Sequence, residues 1–373
     1  MKILILTIEY PPIGGGASPV IHEINKQFLA KGHEVAVVTM AHKKANPHEY
    51  LDGVDVHRIK CFRMHHHMSY LWEHIAFIWS AKRFLKKFIP SSSFDVCYTH
   101  FLVPSGILAR WVNKKFGIPY VITAHGSDIP GFNPDRFNNT HRMTPRLIRS
   151  IMERSTWIVS PSNYLSELMS QMNGIPADKI VRIPNGIDTQ YFQPGSKRPI
   201  ILSSGRLLER KGFQHLIEAV SYEALPVEVH ICGDGPMMKS LREQADKSLT
   251  PVIFHGWVSN RSEHYKKLLA EASIFCLVSS KENASIVLLE ALASGCAVIT
   301  SDVAGCPESV GDAGICIPPG QSDRLNREIK KLLNEKEYSV NLMKAGRERA
   351  VREFAWPAIA ERYLSLFEKQ VKG

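Results

Sequence analysis

The chain of 373 residues and 42.0 kDa is long enough for two domains with separate cores, and its 44% hydrophobic and 22% charged residues exclude a disordered, fibrous or small disulfide-stapled protein. Lys and Arg outnumber Asp and Glu by 22 to 13 in residues 1–185 but only by 24 to 23 in residues 186–373, so the net charge of +10 lies almost wholly in the first half, as do 12 of the 16 histidines. That half is suited to something anionic, with nucleic acid, an anionic membrane leaflet and an acidic substrate all open.

The opening stretch from Met1 to Thr7 is too short and too soon followed by Glu9 for a signal peptide, and no later run of about 18 apolar residues occurs. A cytoplasmic protein is expected, able to sit peripherally on the inner face of the membrane. Seven scattered cysteines with no Cys-x-x-Cys pair predict reduced, mostly buried thiols with neither a disulfide framework nor a zinc site.

In chain order, β-branched runs alternate with segments of helical period. A strand at Lys2–Thr7 precedes a helix from about Ser18 to Lys31, and strands at Glu34–Thr39 and Asp95–His100 precede a helix near Pro104–Phe116. Strands at Tyr120–Thr123 and Trp157–Ser160 complete the half. The alternation restarts at Ile200–Ser204, with a helix from Lys211 and strands at Val227–Cys232, Val252–His255, Ile274–Val278 and Ala297–Thr300. Helical period then runs from Arg324 to Lys369, broken at Trp356-Pro357. Such βαβ alternation predicts two parallel α/β domains, 1–185 and 186–354, with a final helix at about 355–373. Open parallel sheets bind ligands at the carboxyl ends of their strands, so a site in a cleft between the domains is expected.

Three loops carry chemistry. Tyr10-Pro11-Pro12-Ile13-Gly14-Gly15-Gly16 joins a strand to an amphipathic helix, and its bare amides suit a phosphate, although a purely structural turn explains it equally. Arg206 and Lys211, after Ile201–Ser204, would neutralise a diphosphate or form a solvated basic loop. The segment from Ser279 to Gly295 places Glu282 at a strand's carboxyl end, Ala284 and Ser285 at the start of the next helix, and Glu290 among apolar neighbours. A carboxylate in that setting needs partners: two ribose hydroxyls, or a buried cation.

Glu282 and Glu290 reproduce the Glu-x7-Glu signature of retaining, family 4-like glycosyltransferases of the GT-B fold, and the chain resembles that family across nearly its whole length. The resemblance also rests on Tyr10-Pro11-Pro12 with Gly14–Gly16, Ala124-His125-Gly126-Ser127-Asp128, Pro184-Asn185-Gly186-Ile187-Asp188, Gly205-Arg206 with Lys211-Gly212, Gly233-Asp234-Gly235-Pro236, His255-Gly256-Trp257-Val258 and Gly305-Cys306-Pro307-Glu308. It implies two Rossmann-like domains facing across a central cleft, the first binding acceptor and the second a nucleotide diphosphate sugar.

By that resemblance Gly15, Gly16, Arg206 and Lys211 hold the donor diphosphate, Glu290 the ribose, and Glu282 the sugar hydroxyls. The backbone of Asn283, Ala284, Ser285 and Ile286 reaches sugar and phosphate, and Val258 flanks the base. His125, by itself a hydrogen-bonded loop histidine, becomes a catalytic group against the transferred sugar. The implied reaction is metal-independent, needs no cofactor and uses a UDP-sugar first and a GDP-sugar next. The chain departs from the commonest family pattern at Asn283 and Ser285, where glycines are frequent.

Between Ser69 and Pro90, apolar residues including Leu71, Trp72, Ile75 and Trp79 recur at helical spacing ahead of Lys82, Arg83, Lys86 and Lys87. Such a helix either lies in an anionic membrane interface or packs on the core with a solvated basic face. His141, Arg142, Arg146, Arg149 and Arg154 could extend the basic patch, and His65, His66 and His67 could bind metal adventitiously. A lipid-linked or anionic glycan acceptor fits the charge. The runner-up activities are a GT-B-fold sugar-nucleotide epimerase and a phosphorylase-like enzyme. Nucleic-acid binding is the distant alternative, since no recognised binding motif accompanies the basic residues.

Overall fold

The computed structural model describes all residues except 43–44, 62, 65–69, 133–144, 173 and 372–373. The expectations on His65, His66, His67, His141 and Arg142 fall outside the described residues. The chain divides into two compact units, Met1–Asn185 with the C-terminal segment from Trp356, and Gly186–Ala355.

The first unit is built on eight strands: β1 (Lys2–Leu6), β2 (Glu34–Met40), β3 (His48–Leu51), β4 (Val54–Ile59), β5 (Val96–His100), β6 (Tyr120–Thr123), β7 (Trp157–Ser160) and β8 (Ile180–Arg182), in the order β3-β4-β2-β1-β5-β6-β7-β8. All neighbours run parallel except β3 against β4. One sheet face packs on the Leu71–Phe88 helix through Phe77, Ala81 and Leu85. The other buries Phe28 of the Ala17–Ala30 helix and Ile359, Tyr363 and Phe367 of the last helix, Trp356–Val371. Pro357 stands in that helix's first turn, where its missing N–H costs nothing.

The second unit holds β9 (Arg198–Ser204), β10 (Glu228–Cys232), β11 (Val252–Gly256), β12 (Ala272–Leu277), β13 (Ala297–Ser301) and β14 (Ile315–Ile317) in the parallel order β11-β10-β9-β12-β13-β14. Continuous apolar runs such as Ile200-Ile201-Leu202 are what strands covered on both faces require. Strand order reverses between β9 and β12 here, and between β1 and β5 in the first unit. The loops after these strands therefore diverge to opposite faces and leave a crevice at the carboxyl ends.

Three details differ from the sequence reading. The β3–β4 hairpin was not foreseen, because His48-Glu49-Tyr50-Leu51 reads as a polar connection. The helix expected from Lys211 begins at Phe213, after a turn at Glu209–Lys211, because Gly212 is left-handed at φ +77°. The Leu71–Phe88 helix packs on the core, as one of its two readings has it, yet its outer face carries exposed Leu71, Trp72, Ile75 and Trp79 as well as exposed Arg83, Lys86 and Lys87. Lys82 leaves that stripe and lies 5.8 Å over the Trp111 ring. No helix among the described residues is long and apolar enough to cross a membrane.

Phe367 is fully buried, with ring centroids 5.6 Å from Phe28 and 5.4 Å from Tyr98. Phe367→Ala is expected to destabilise the first unit by about 3–5 kcal/mol. Urea unfolding followed by tryptophan fluorescence checks this, since Trp257 alone of the six tryptophans lies in the second unit.

Candidate functional site

In the second unit the loops after β9 and β12 meet at the strand-order reversal. Any Cβ on residue 212 would stand 2.3 Å from the Val278 carbonyl oxygen, so Gly212 is what lets the two backbones touch. Ser280 N–H then donates to the Arg210 carbonyl at 2.8 Å, and Ser279 Oγ donates to that of Lys211 at 3.4 Å. With the loops clamped, Lys211 Nζ forms a short ion pair with Glu282 Oε1, and both side chains are largely buried. Ser279 Oγ lies 3.4 Å from the same carboxylate oxygen, and Gly305 N–H donates to the Glu282 carbonyl at 3.0 Å. Arg206 is exposed at the same mouth, and Arg210 points to solvent.

The helix after this loop, Ile286–Ala293, begins at Ser285, whose side chain makes no cap hydrogen bond. Ala284 and Ser285 thus precede it, with Asn283 half-buried beside them. Glu290 is 1% exposed. It accepts from Tyr265 Oη at 2.9 Å and Asn260 Nδ2 at 3.2 Å. Burial outweighs these bonds and raises its carboxyl from the usual value to about 7, while the same burial pushes the Tyr265 phenol well up. Tyr265 and Asn260 lie 25 and 30 residues before Glu290, beyond any spacing rule. Val258 is half-buried against the apolar core of this unit beside the fully displayed Trp257, which is 75% exposed.

In the first unit, Gly14 is held at φ +119°, close over Glu9, and the Gly15 N–H donates to Glu9 Oε2 at 2.9 Å. Gly16 caps the Ala17–Ala30 helix, and a Cβ there would meet nothing within 4 Å. Beneath the turn, Tyr10 Oη lies 2.9 Å from His22 Nδ1, and His22 Nε2 lies 2.9 Å from Asp52 Oδ2.

His125, two residues beyond β6, is fixed by its N–H donating to Asp128 Oδ1 at 2.9 Å, while Leu102 N–H donates to Oδ2 at 3.1 Å. His125 Nε2 faces Nδ1 of His100 at 3.1 Å, and the Phe101 ring is 4.5 Å away. Desolvation lowers the His125 pKa to about 4 and that of His100 well below the ordinary value, so both rings are neutral at pH 7. His100, fully buried at the end of β5, was not singled out from sequence. Its signal was its place as the last residue of a strand at the order reversal.

Two family descriptions match the chain: Glycosyltransferase Family 4 over residues 14–191 and Glycosyl transferases group 1 over residues 187–349. The N-acetyl-alpha-D-glucosaminyl L-malate synthase of Bacillus anthracis is 26% identical, with 98% of this chain and 97% of that protein covered. The alpha-maltose-1-phosphate synthase of Mycolicibacterium smegmatis is 25% identical over 71% of this chain and 76% of its own. Among solved structures, sucrose-phosphate synthase from Thermosynechococcus elongatus superposes with a TM-score of 0.82 at 20% identity, covering 99% of this chain and 98% of its own. Anabaena HepE in complex with UDP-glucose gives 0.75 at 17% identity, covering 99% and 100%. The fold is therefore GT-B.

A carboxyl whose pKa rises on folding binds its proton more tightly in the native state, so its burial costs nothing at low pH and the full penalty once the pH exceeds the folded pKa. For Glu290 that window runs from about 4.5 to about 7. Glu290→Gln is expected to gain about 2.5 kcal/mol relative to the parent between pH 5 and pH 8. Paired urea titrations at the two pH values measure it; a constant difference would mean that Glu290 is not desolvated.

Proposed function

The chain belongs to the GT4-like glycosyltransferases of the GT-B fold, and from that premise we propose a retaining transferase acting on a nucleotide diphosphate sugar. The donor is a UDP-sugar first and a GDP-sugar next, the sugar hexose-type, and the acceptor a lipid-linked or cell-envelope glycan at the inner membrane face. The observation that carries this reading is the Lys211–Glu282 pair at the order reversal of the second sheet, followed one helix later by the dry carboxylate of Glu290. A cation beside a helix N-terminus suits a diphosphate, and a carboxylate that accepts from two donors among the described residues has lone pairs left for ribose hydroxyls. The UDP-glucose complex of the HepE neighbour supports uridine as the first choice.

Breaking the bond between sugar and phosphate builds positive charge on the anomeric carbon and negative charge on the leaving diphosphate. Lys211, Arg206 and the amides of Ala284, Ser285 and Ile286 are suited to the second charge, in the role a metal fills in other transferases. In a front-face reaction the acceptor oxygen forms its bond on the side the diphosphate leaves, and a leaving phosphate oxygen takes the acceptor proton. Glu282 then serves sugar hydroxyls, as a binding group and not a nucleophile. Neutral His125 is suited to accept or donate one hydrogen bond to the transferred sugar, with the Gly15–Gly16 turn offering amides to phosphate. Val258 is assigned to the base and Asn283 to the sugar.

Thermal melts with UDP, GDP, ADP and short single-stranded DNA test the donor class. UDP at 100 times its dissociation constant should stabilise by about 2.7 kcal/mol, and Lys211→Ala, with or without Arg206→Ala, should abolish the shift. Gly16→Ala should keep the parent melting temperature, for lack of any clash, yet lose the response. A shift with DNA alone would restore the nucleic-acid reading.

The exposed stripe of Trp72, Ile75 and Trp79 followed by Arg83, Lys86 and Lys87 supports a membrane-facing role, since interfacial rings and snorkelling cations are what an anionic leaflet binds. The protein should sediment with phosphatidylglycerol vesicles but not with phosphatidylcholine vesicles. Exchange of Arg83, Lys86 and Lys87 for Glu should release it, and retention would overturn the assignment.

A further inference from the structure

On the outer edge of the first sheet, three ligating side chains that have no role above converge. In the antiparallel β3–β4 pairing His48 stands directly opposite His57, and Asp55 lies two residues before His57. The two-residue period of a strand puts Asp55 and His57 on one face, and cross-strand pairing puts His48 beside them. The Asp55 carboxylate bridges both rings, Oδ1 lying 2.7 Å from His48 Nε2 and Oδ2 lying 3.2 Å from His57 Nε2. The rings are stacked, with centroids 4.6 Å apart and planes within 7°. One donor atom from each residue falls within 4.8 Å of the others.

From this arrangement we propose that His48, Asp55 and His57 bind a divalent transition-metal ion, Zn²⁺ foremost, with water completing the coordination. Tetrahedral zinc with bonds of about 2.0–2.1 Å holds its donors roughly 3.3 Å apart, and because imidazole lone pairs lie in the ring plane, the exposed His48 ring must turn out of its stack on His57 for both to meet one ion. Two imidazoles and one carboxylate select zinc, cobalt, nickel or copper over magnesium and calcium, which take oxygen sets. The hairpin does not need the ion for its register. On its opposite face Arg58 donates to Glu49 Oε1 at 2.5 and 2.8 Å and to the Pro11 carbonyl at 2.5 Å. The rings of Phe84 and Phe88 back His57 at 5.2 and 4.5 Å and fix its plane. Zinc would exchange the hydrogen bonds through Asp55 for coordinate bonds, tying edge strand β3 to β4.

The test uses the full chain with His65, His66 and His67 replaced by Ala, which removes the adjacent histidine run. One Zn²⁺ per chain should be taken from a chromophoric chelator, Mg²⁺ in excess should not compete, and Co²⁺ should give the visible band of a four-coordinate site. His48→Ala and Asp55→Asn, both partly exposed and so compatible with folding, should each weaken uptake at least tenfold. Zinc at 100 times its dissociation constant should shift the folding equilibrium about 100-fold in the parent and leave both variants unmoved. Absence of stoichiometric uptake, or uptake unaltered in both variants, would overturn the site and leave a His–Asp–His hydrogen-bonded clasp.

Discussion

The contact between the backbone of Gly212 and the Val278 carbonyl governs the second unit's chemistry. A parallel sheet delivers the loops after β9 and β12 to the same end, but only a residue without Cβ lets them touch. Where they touch, Lys211 reaches across the junction to Glu282. The pair is mostly desolvated, so removing either partner strands the other in a poorly hydrated place, a larger effect than losing an exposed ion pair. A local steric fact thus becomes a fixed positive charge at the mouth of the sheet.

Glu282 and Glu290 belong to one short segment, yet physical setting gives them different characters. Glu282 sits in the loop with a cation beside it. Glu290 sits in the helix with two neutral donors, and its carboxyl is pushed up to about 7. Natural selection for stability alone would favour an apolar residue there, and a carboxylate kept at such expense is the sort of local conflict found where a ligand completes the hydrogen bonding. Bound hydroxyls would favour the ionised form, so ligand binding near neutral pH should release a proton.

Parallel strands were legible because both faces of the sheets are covered, which turns a strand into an unbroken apolar run such as Ile3–Leu6 or Val298-Ile299. The loop motifs were legible because glycines and charges cluster at strand ends. The β3–β4 hairpin was not, since an edge strand with one wet face carries His48 and Tyr50 where a buried strand would carry Val or Ile. Nor could spacing reveal the partners of Glu290, because Tyr265 and Asn260 come from another helix and its preceding turn. His100 was hidden for the same reason: its meaning arises only when β5 and β6 lie side by side and bring it to His125. The Leu71–Phe88 helix resisted a single periodic reading because two of its faces carry apolar residues, one buried and one exposed.

A common device links the phosphate-binding candidates of the two units. In each, a group suited to an anion is already occupied by one of the chain's own carboxylates: the Gly15 amide by Glu9, and the Lys211 ammonium by Glu282. Below the glycine turn, Tyr10, His22 and Asp52 form a hydrogen-bonded chain, while Gly16 above it remains open. The base is tied by hydrogen bonds and a Cβ on Gly16 would meet nothing, which is preorganisation without obstruction. Binding an anion is then an exchange of one oxygen acceptor for another, with little net gain in charge pairing. For the donor proposed above, affinity would come from what a carboxylate does not offer, namely the several oxygens of a diphosphate reaching additional amides and Arg206. A lone phosphate would gain little from such a site, so under that proposal the exchange would favour the longer anion over the inorganic one.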